Sequence, residues 1–260
     1  YAITLGNLSA GTNYNLSLSG TVNFAITAKP VTITPDSGQS KVFGVSDPTL
    51  TFTNNGGLAA NAFTGALSRV AGENVGNYAI TLGNLSAGTN YNLSLSSTTV
   101  NFTINRAPGS VSINNIPSSA TYGGSFTAMY MVLGDGTPSV VSETPTVCST
   151  SGDLVSYAAA GLCKLHATVT QGTNHLAATG ATQSFTIDKK SVTVTPDSGQ
   201  SKVYGETDPT LTFQNSPALV GSDSFTGALA RAAGKNVGQY TINLGTLSAG
   251  SNYVLSLSAT

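Results

Sequence analysis

Apolar and polar residues alternate along most of the chain. Segments such as VTITP (31–35) and YNLSLS (91–96) place an apolar residue at every second position. A period of two is the spacing of side chains on one face of a β-strand, and the Val, Ile and Thr residues in these segments favour strands. Each segment therefore predicts a half-buried strand. One run, ALSRVA (66–71), could also form a turn of helix, but nearby glycines allow nothing longer.

Clusters of Gly, Asn, Asp and Pro separate these segments at the intervals typical of turns in β-sandwiches. Strands that each have one apolar face bury it most simply when two sheets pack face to face. The sequence therefore predicts an all-β fold, organised as tandem immunoglobulin-like β-sandwich domains in an extended array.

The alternating segments recur as internal repeats. Residues 1–19 (YAITLGNLSAGTNYNLSLS) return letter for letter at 78–96, and a diverged copy occupies 240–258. A second block, 31–52, matches 192–213 with few changes. Self-similarity of this kind is typical of tandem copies of one structural unit.

The repeats divide the chain into four predicted parts. Residues 1–29 are the C-terminal part of a repeat (the partial repeat), and 30–106 form a complete one (the first repeat). Residues 107–189 lack the repeat motifs and form a different domain (the middle domain). Residues 190–260 form the second repeat, which is predicted to lack its last strand. A basic residue, often with Pro, marks each junction and indicates a short, stiff linker.

The chain carries little charge. Only 8% of its 260 residues are charged, against about 25% in an ordinary soluble protein, while 40% are hydrophobic and the net charge is −1. The basic residues form no cluster that could bind phosphates, which predicts that the chain does not bind nucleic acid. Because no run of 18 apolar residues occurs, we expect no membrane insertion. Ser, Thr and Asn at the solvent-facing positions suit a surface outside the cell.

Residues that usually carry catalysis are scarce. The two histidines, His166 and His175, both fall in the middle domain, and no motif of an activated serine, a zinc protease or a phosphate-binding loop occurs. We therefore predict that the chain is not an enzyme. The two cysteines, Cys148 and Cys163, fit one disulfide in an oxidising compartment, although two buried, reduced cysteines on neighbouring strands are an alternative.

Aspartates on predicted turns are the candidates for binding a cofactor. Asp36 and Asp47, with their copies Asp197 and Asp208, could contribute oxygen atoms to a calcium site. Calcium takes six to eight oxygen ligands, however, and each repeat has few acidic residues. Aspartate at a turn more often binds its own backbone. The sequence therefore predicts no cofactor, with calcium as the alternative.

Both repeats carry a motif that resembles a known family. The pattern K-V-[FY]-G-x-x-D-P-T-L-T-F, followed by F-T-G-A-L-x-R and G-x-N-V-G-x-Y, is similar to the MBG domain of bacterial surface proteins, and within that family to the YGX type. The motif residues are Phe43, Gly44, Asp47 and Pro48 in the first repeat and Tyr204, Gly205, Asp208 and Pro209 in the second. The resemblance implies repeated modules of a large secreted or outer-surface protein, with no enzymatic activity and a structural role for these residues.

A tyrosine stands at the same place in both repeats. Tyr78 and Tyr240 follow Val-Gly-x at the start of a strong strand. Immunoglobulin-like sandwiches often have a tyrosine there, and its hydroxyl binds the backbone near the corner. We therefore predict a structural role for both tyrosines, with an exposed binding surface as the alternative.

The middle domain resembles a bacterial immunoglobulin-like domain. The similarity rests on ATYGGSFTA (120–128), on the segment that Cys148 and Cys163 bracket, and on the closing strand SFTI (184–187). In that family two cysteines bracket such a segment, so the resemblance implies a disulfide at this place.

These observations predict a structural repeat region, a stalk or fibre, of a large bacterial adhesin at the cell surface. The expected partners are neighbouring repeats of the same chain or identical chains. A surface glycan, or a host or abiotic surface, would be reached through domains outside this sequence.

Two alternative functions remain open. One is a subunit of a filament, because TVNFAIT (21–27) has no counterpart after the second repeat, where Thr260 aligns with Thr21. An open sheet edge of this kind could accept a strand from another chain. The other alternative is a glycan-binding module, although the sequence contains no Trp.

Overall fold

The computed structural model describes residues 1–258, and Ala259 and Thr260, the last two residues of the predicted second repeat, lie outside that range. Regular structure in it consists of strands and one turn of 3-10 helix at Ala60–Ala62. The predicted all-β fold is confirmed. The run 66–71 is not helical, since Ser68–Arg69 forms a strand within it. The chain forms two compact units, Tyr1–Ala107 and a second that begins at Pro108.

The first repeat is built from seven strands in two sheets. They are β1 (Lys29–Pro35), β2 (Ser40–Val42), β3 (Phe52–Asn54), β4 (Ser68–Arg69), β5 (Gly76–Thr81), β6 (Tyr91–Leu95) and β7 (Asn101–Asn105). One sheet has the order β3-β1-β6 and the other the order β2-β7-β5-β4. Most neighbours are antiparallel, but β1 runs parallel to β6 and β2 runs parallel to β7.

The two sheets of the first repeat enclose one apolar core. Val31 and Ile33 point inward from β1, and Phe102 and Ile104 point inward from β7, because alternate residues of a strand share a face. All four side chains are almost completely buried. Burial of a large apolar side chain contributes about 1.5–3 kcal/mol. The strand β7 lies between β2 and β5 and contributes two fully buried side chains to this core, so it stabilises its whole sheet.

The partial repeat forms a narrow hairpin. Ala2 and Asn23 pair as an antiparallel bridge, and the backbone N–H of Phe24 donates to the carbonyl of Tyr1 over 2.7 Å. The same positions face each other between β5 and β7 in the first repeat. Phe24 and Ile26 are exposed, whereas their counterparts in β7 are buried. The hairpin thus reproduces the strand pairing of a repeat without its core.

The middle domain has nine strands arranged around one long central strand. They are β8 (Ser110–Ile113), β9 (Ser125–Thr127), β10 (Tyr130–Leu133), β11 (Pro138–Ser142), β12 (Cys148–Ser151), β13 (Leu154–Tyr157), β14 (Gly161–Val169), β15 (Ala178–Thr179) and β16 (Gln183–Ile187). The strand β14 pairs with β11, β15 and β16. A second sheet has the order β12-β13-β9, and β8 pairs with β10.

A disulfide joins two sheets of the middle domain. Cys148 begins β12 and Cys163 lies in β14, and their bonded side chains are fully buried. The predicted disulfide is therefore confirmed, and the alternative of two reduced cysteines is wrong. The rings of Phe126, Tyr157 and Phe185 pack together in the same core, with centroids 5.7, 5.8 and 6.3 Å apart.

The second repeat reproduces one sheet of the first repeat and part of the other. Its strands are β17 (Lys190–Pro196), β18 (Phe213–Ser216), β19 (Ala230–Arg231), β20 (Ile242–Asn243) and β21 (Tyr253–Leu257). The sheet β18-β17-β21 matches β3-β1-β6 in order and direction, with β17 parallel to β21. The other sheet consists of β19 and β20 among the described residues. Segments 201–203 and 238–241, which correspond to β2 and to most of β5, are not strands.

Removal of the disulfide should destabilise the middle domain. The two cysteines are 15 residues apart, and a cross-link that closes a loop of about 15 residues contributes about 3 kcal/mol by restricting the unfolded chain. We expect the variant Cys148→Ala/Cys163→Ala to lose about that much free energy of unfolding. Urea unfolding followed by hydrogen exchange at the β14 amides would measure the loss.

Treatment with a reductant provides the control for this prediction. It should destabilise the unmodified middle domain and leave the double variant unchanged. A double variant as stable as the oxidised protein would contradict the prediction.

Candidate functional site

Four charged side chains meet at one edge of the first repeat. Asp47, in the loop after β2, binds Lys41 (Nζ to Oδ1, 2.7 Å) and Arg69 (Nε to Oδ2, 2.6 Å). Glu73 binds the same two cations, and its Oε1 lies 2.7 Å from Nη2 of Arg69. We call these four residues the charged cluster. It ties β2, β4 and two loops of the same sheet together.

A glycine turn brings Asp47 into the charged cluster. The backbone N–H of Val45 donates to the carbonyl of Val42 over 3.1 Å, and Gly44 between them has φ of +81°. Open space surrounds Gly44, so the positive φ and not crowding requires a glycine. Pro48 follows Asp47 directly and restricts the backbone as the chain leaves the cluster. Two of the motif residues, Gly44 and Pro48, thus position the carboxylate of a third, Asp47.

Arg69 is also held by aromatic rings and by the backbone. Its guanidinium carbon lies 5.0 Å from the ring centre of Tyr78 and 5.4 Å from that of Phe102, which is within the range of cation–π attraction. Its Nη1 donates to the carbonyl of Gly72. The Tyr78 hydroxyl donates to the carbonyl of Asn74 over 2.7 Å. Tyr78 therefore stabilises the turn that precedes its strand, and its ring packs against the guanidinium of Arg69.

The charged cluster is fully ionised at neutral pH. Hydrogen bonds from Arg69 and then Lys41 lower the pKa of Asp47 from 3.8 to about 2. Hydrogen bonds to Asp47 and Glu73 raise the pKa of Lys41. A lysine acts as a nucleophile when its pKa is lowered and its amine is neutral, which is the opposite of this arrangement. The geometry therefore suits a structural clamp.

The second repeat contains a related cluster with one charge reversed. Asp208 lies 2.6 Å from Nζ of Lys202 and 3.0 Å from Nε of Arg231. Arg231 lies 4.9 Å from the ring centre of Tyr240. Lys235 stands where the first repeat has Glu73. This cluster consequently holds its arginine and lysine with one carboxylate.

The motif loop and the corner tyrosine of the second repeat are otherwise arranged as in the first. Gly205 has φ of +89°, and Pro209 follows Asp208 directly. The Tyr240 hydroxyl donates to the carbonyl of Asn236 over 2.7 Å. The loop and the tyrosine thus keep their geometry even though their sheet is smaller.

The cations of the second repeat are more exposed than those of the first. The side chains of Lys41 and Arg69 are 4% and 6% exposed, whereas those of Lys202 and Arg231 are 30% and 23% exposed. In the first repeat Phe102 of β7 covers the arginine. Water therefore competes more strongly for the ion pairs of the second repeat.

A second polar cluster joins the middle domain to the second repeat. Asp223 accepts hydrogen bonds from the hydroxyls of Tyr122 (2.8 Å) and Tyr253 (2.6 Å). The two rings meet edge to face at 5.4 Å. Burial and the bond to Asp223 raise the pKa of Tyr253 to about 12. The hydroxyl of Tyr253 also accepts from the backbone N–H of Val220 over 2.8 Å. We call Tyr122, Asp223 and Tyr253 the junction triad.

The linker between these two domains is short and bound on both sides. Only Asp188 and Lys189 separate β16 from β17. The carbonyl of Asp188 accepts from the backbone N–H of Tyr122 over 2.9 Å, and the backbone N–H of Lys190 donates to the carbonyl of Asn252 over 2.9 Å. The Asn252 side chain accepts from the backbone N–H of Ala160 over 3.0 Å. The joint is therefore fixed by the backbone as well as by the junction triad.

Each of the two histidines lies beside one carboxylate. His166 Nδ1 lies 2.9 Å from Glu143, and His175 Nδ1 lies 3.1 Å from Asp135. The carbonyl of Asp36 accepts from the side chain of Gln39. No group of three or more His, Cys, Asp or Glu side chains within residues 1–258 is arranged to hold a metal ion.

Sequence comparison supports the resemblance noted for the repeats. The family model for the MBG domain (YGX type) matches residues 31–110 and 192–259, which together make up more than half of the chain. None of the curated proteins matches at a significant level. The middle domain lies mostly outside the matched residues, so its resemblance to immunoglobulin-like domains stays a prediction. No helix within the described range is long and apolar enough to cross a membrane.

Neutralising Asp47 should destabilise the first repeat. In Asp47→Asn the largely buried Lys41 and Arg69 lose one of the two carboxylates that they share, and Glu73 remains. Breaking a buried pair costs about 3–5 kcal/mol and breaking a surface pair up to about 1 kcal/mol. Because Asp47 is itself partly exposed, we expect a loss of about 1–2 kcal/mol in the free energy of unfolding. Hydrogen exchange at the β7 amides would measure it.

The second repeat provides the matched control for this substitution. Asp208→Asn removes the equivalent carboxylate from cations that are more exposed. Hydrogen exchange at the β17 amides should therefore change less in Asp208→Asn than exchange at the amides of β1, the equivalent strand, changes in Asp47→Asn. Equal effects in both repeats would show that burial of the cluster does not matter.

Acid should lower the free energy of unfolding of the first repeat, because it protonates Asp47. The pKa of Asp47 is about 2 in the folded chain and near 3.8 when unfolded, so the unfolded chain binds a proton first as the pH falls. The stabilisation is therefore complete above about pH 5 and is lost progressively toward about pH 2. Urea unfolding at pH 7, 4 and 3 should show the decline, and Asp47→Asn should flatten it. An unchanged pH profile in that variant would contradict the assignment.

Proposed function

Because the chain belongs to the family of MBG domains of the YGX type, which are repeat modules of bacterial surface proteins, we propose that it is a stiff spacer within an extracellular adhesin. In this role it holds other domains of the protein away from the cell. Its immediate partners are the neighbouring repeats. MBG repeats are structural modules, and we assign the chain no enzymatic activity.

The joint between the middle domain and the second repeat is the observation that carries the proposal. The linker between β16 and β17 has only two residues, which is too short for a flexible connection. Hydrogen bonds fix its backbone on both sides. Flexible linkers are usually longer and rich in Gly and Ser. The junction triad adds one hydrogen bond, from Tyr122 to Asp223, and the edge-to-face contact of Tyr122 with Tyr253 across the joint. A spacer needs such a joint, because a loose one would let the domains fold back.

The pairing of the first strand suits a domain under tension. In the first repeat β1 pairs with β6 in parallel over five residues, and β17 pairs with β21 in the same way. Tension along β1 slides it past β6, so that the hydrogen bonds of the ladder are loaded together. A strand that is peeled away sideways loses its bonds one at a time. The topology therefore resists extension along the strands.

The disulfide limits extension of the middle domain. Cys148 and Cys163 enclose the hairpin of β12 and β13. If the domain unfolds under tension, the residues between the two cysteines cannot extend while the bond is intact. An oxidising environment outside the cell maintains such a bond.

Rotational diffusion measured by NMR tests the stiffness of this joint. We expect backbone ¹⁵N relaxation of β14 and β17 to give one common correlation time, because the two domains move as one body. Insertion of Gly-Gly-Ser between Asp188 and Lys189 should separate the two values, and Tyr122→Phe should loosen the joint less. Two different correlation times in the unmodified chain would contradict the proposal.

A further inference from the structure

An apolar stripe runs along the outer face of β10 in the middle domain. Met129, Met131 and Leu133 are 58%, 67% and 60% exposed, whereas Tyr130 and Val132 between them pack against the core. Alternate residues of a strand share a face, so the three exposed side chains lie in one row, which we call the β10 stripe. A contiguous apolar row, unlike a single exposed residue, indicates a contact surface.

The strand β10 is also an open edge of its sheet. Among the described residues it pairs with β8 alone. The backbone N–H of Asn114 donates to the carbonyl of Met129 over 2.9 Å, and the hydrogen-bonded positions of an antiparallel pair alternate along each strand. The backbone of Met131 therefore points toward β8. The N–H and C=O groups of Tyr130 and Val132 point the other way, to the open edge.

The turn between β12 and β13 leaves this edge uncovered. On that side β13 pairs with β9, and the backbone N–H of Ala128 donates to the carbonyl of Asp153 over 2.8 Å. Gly152, with φ of +58°, lies in the turn that leads from β12 into β13, so no described strand continues in line with β13 beside β10. Segment 125–133 contains no charged residue and no proline, which are common protections of an open edge.

The open edge of β10 is complementary to itself. When two copies of β10 lie antiparallel about a twofold axis at Met131, Tyr130 of each copy faces Val132 of the other. Each of these pairs then exchanges both of its backbone hydrogen bonds. Met131 faces its own equivalent, and Met129 faces Leu133 of the other copy, so every side chain of the β10 stripe meets another one. Because the stripe carries no charge, no charged partner is needed to match it.

We propose that the β10 edge binds the β10 edge of a second copy of this chain, so that two middle domains share one continuous sheet. The contact combines an added backbone ladder with burial of the β10 stripe of both copies. One short strand and three side chains from each copy bury less than the roughly 1,600 Å² of a standard stable interface, so the association is weak and reversible. It joins separate chains side by side, which goes beyond the role of a spacer within one chain.

Cysteine cross-linking of the 260-residue chain tests the register. In Met131→Cys the two new thiols face each other at the twofold axis with Cα atoms about 4.5 Å apart, which is within reach of a disulfide. Mild oxidation should therefore give a covalent dimer. Leu133→Cys is the matched control, because Leu133 is similarly exposed but its two copies lie about 13 Å or more apart, four residues along the strand. It should give a covalent dimer only when it is mixed with Met129→Cys.

Analytical ultracentrifugation measures the association itself, and we expect the average mass of the unmodified chain to rise with its concentration. Met131→Lys should weaken the association about tenfold or more, because two like charges then face each other across the ladder. Peroxide should also weaken it, since Met129 and Met131 are the two methionines of the chain, both are exposed, and a sulfoxide is polar. Val254→Lys, at an exposed position of β21, is the control and should associate normally.

Three results would overturn the proposal. Equal cross-linking of Met131→Cys and Leu133→Cys would show random collision. A chain that stays monomeric and gives no covalent dimer in Met131→Cys would show that the edge does not bind a second copy. Association that persists unchanged in Met131→Lys would assign it to another surface. Hydrogen exchange at the β14 amides verifies that each variant is folded, as expected for substitutions at exposed positions.

Discussion

The packing of β7 between β2 and β5 is the interaction on which the structure of a repeat depends. Where β7 is present, Phe102 covers Arg69, and the lysine and arginine of the charged cluster are almost completely buried. In the second repeat, where no described residue takes that place, the equivalent cations are several times more exposed and two neighbouring segments are not strands. The local sequences are nearly the same in both repeats. Strand formation in this sheet is therefore decided by tertiary packing more than by intrinsic propensity.

Much of the fold could be predicted because repetition and alternation are local signals. The segments around Val31 and Val192 alternate cleanly, and both form the predicted strands with matching partners. Cys148 and Cys163 could be paired because the chain contains no other cysteine. The run 66–71 was ambiguous because two residues of strand are too few to show a period.

The sequence did not reveal which side chains meet over long distances. Asp47 was a candidate for capping a turn or binding calcium, yet its partner Arg69 lies 22 residues further along the chain. The hydrogen bond between Tyr122 and Asp223 spans 101 residues. Asp223 lies in the segment where the two repeats differ by an insertion, so comparison of the repeats gave no signal for it. An aspartate, an arginine and a tyrosine recur in this order in both repeats, with nine residues from the arginine to the tyrosine, and this recurrence could have identified the charged cluster.

The bound linker between β16 and β17 has a consequence for how such a protein displays its surface. Hydrogen bonds on both sides of Asp188 and Lys189 determine the rotation of the second repeat about the chain direction, and not only the distance between the domains. A side chain on the outer face of the middle domain therefore keeps a fixed angular position relative to one on the second repeat. The two domains present one composite surface, and the short joint between them sets its geometry.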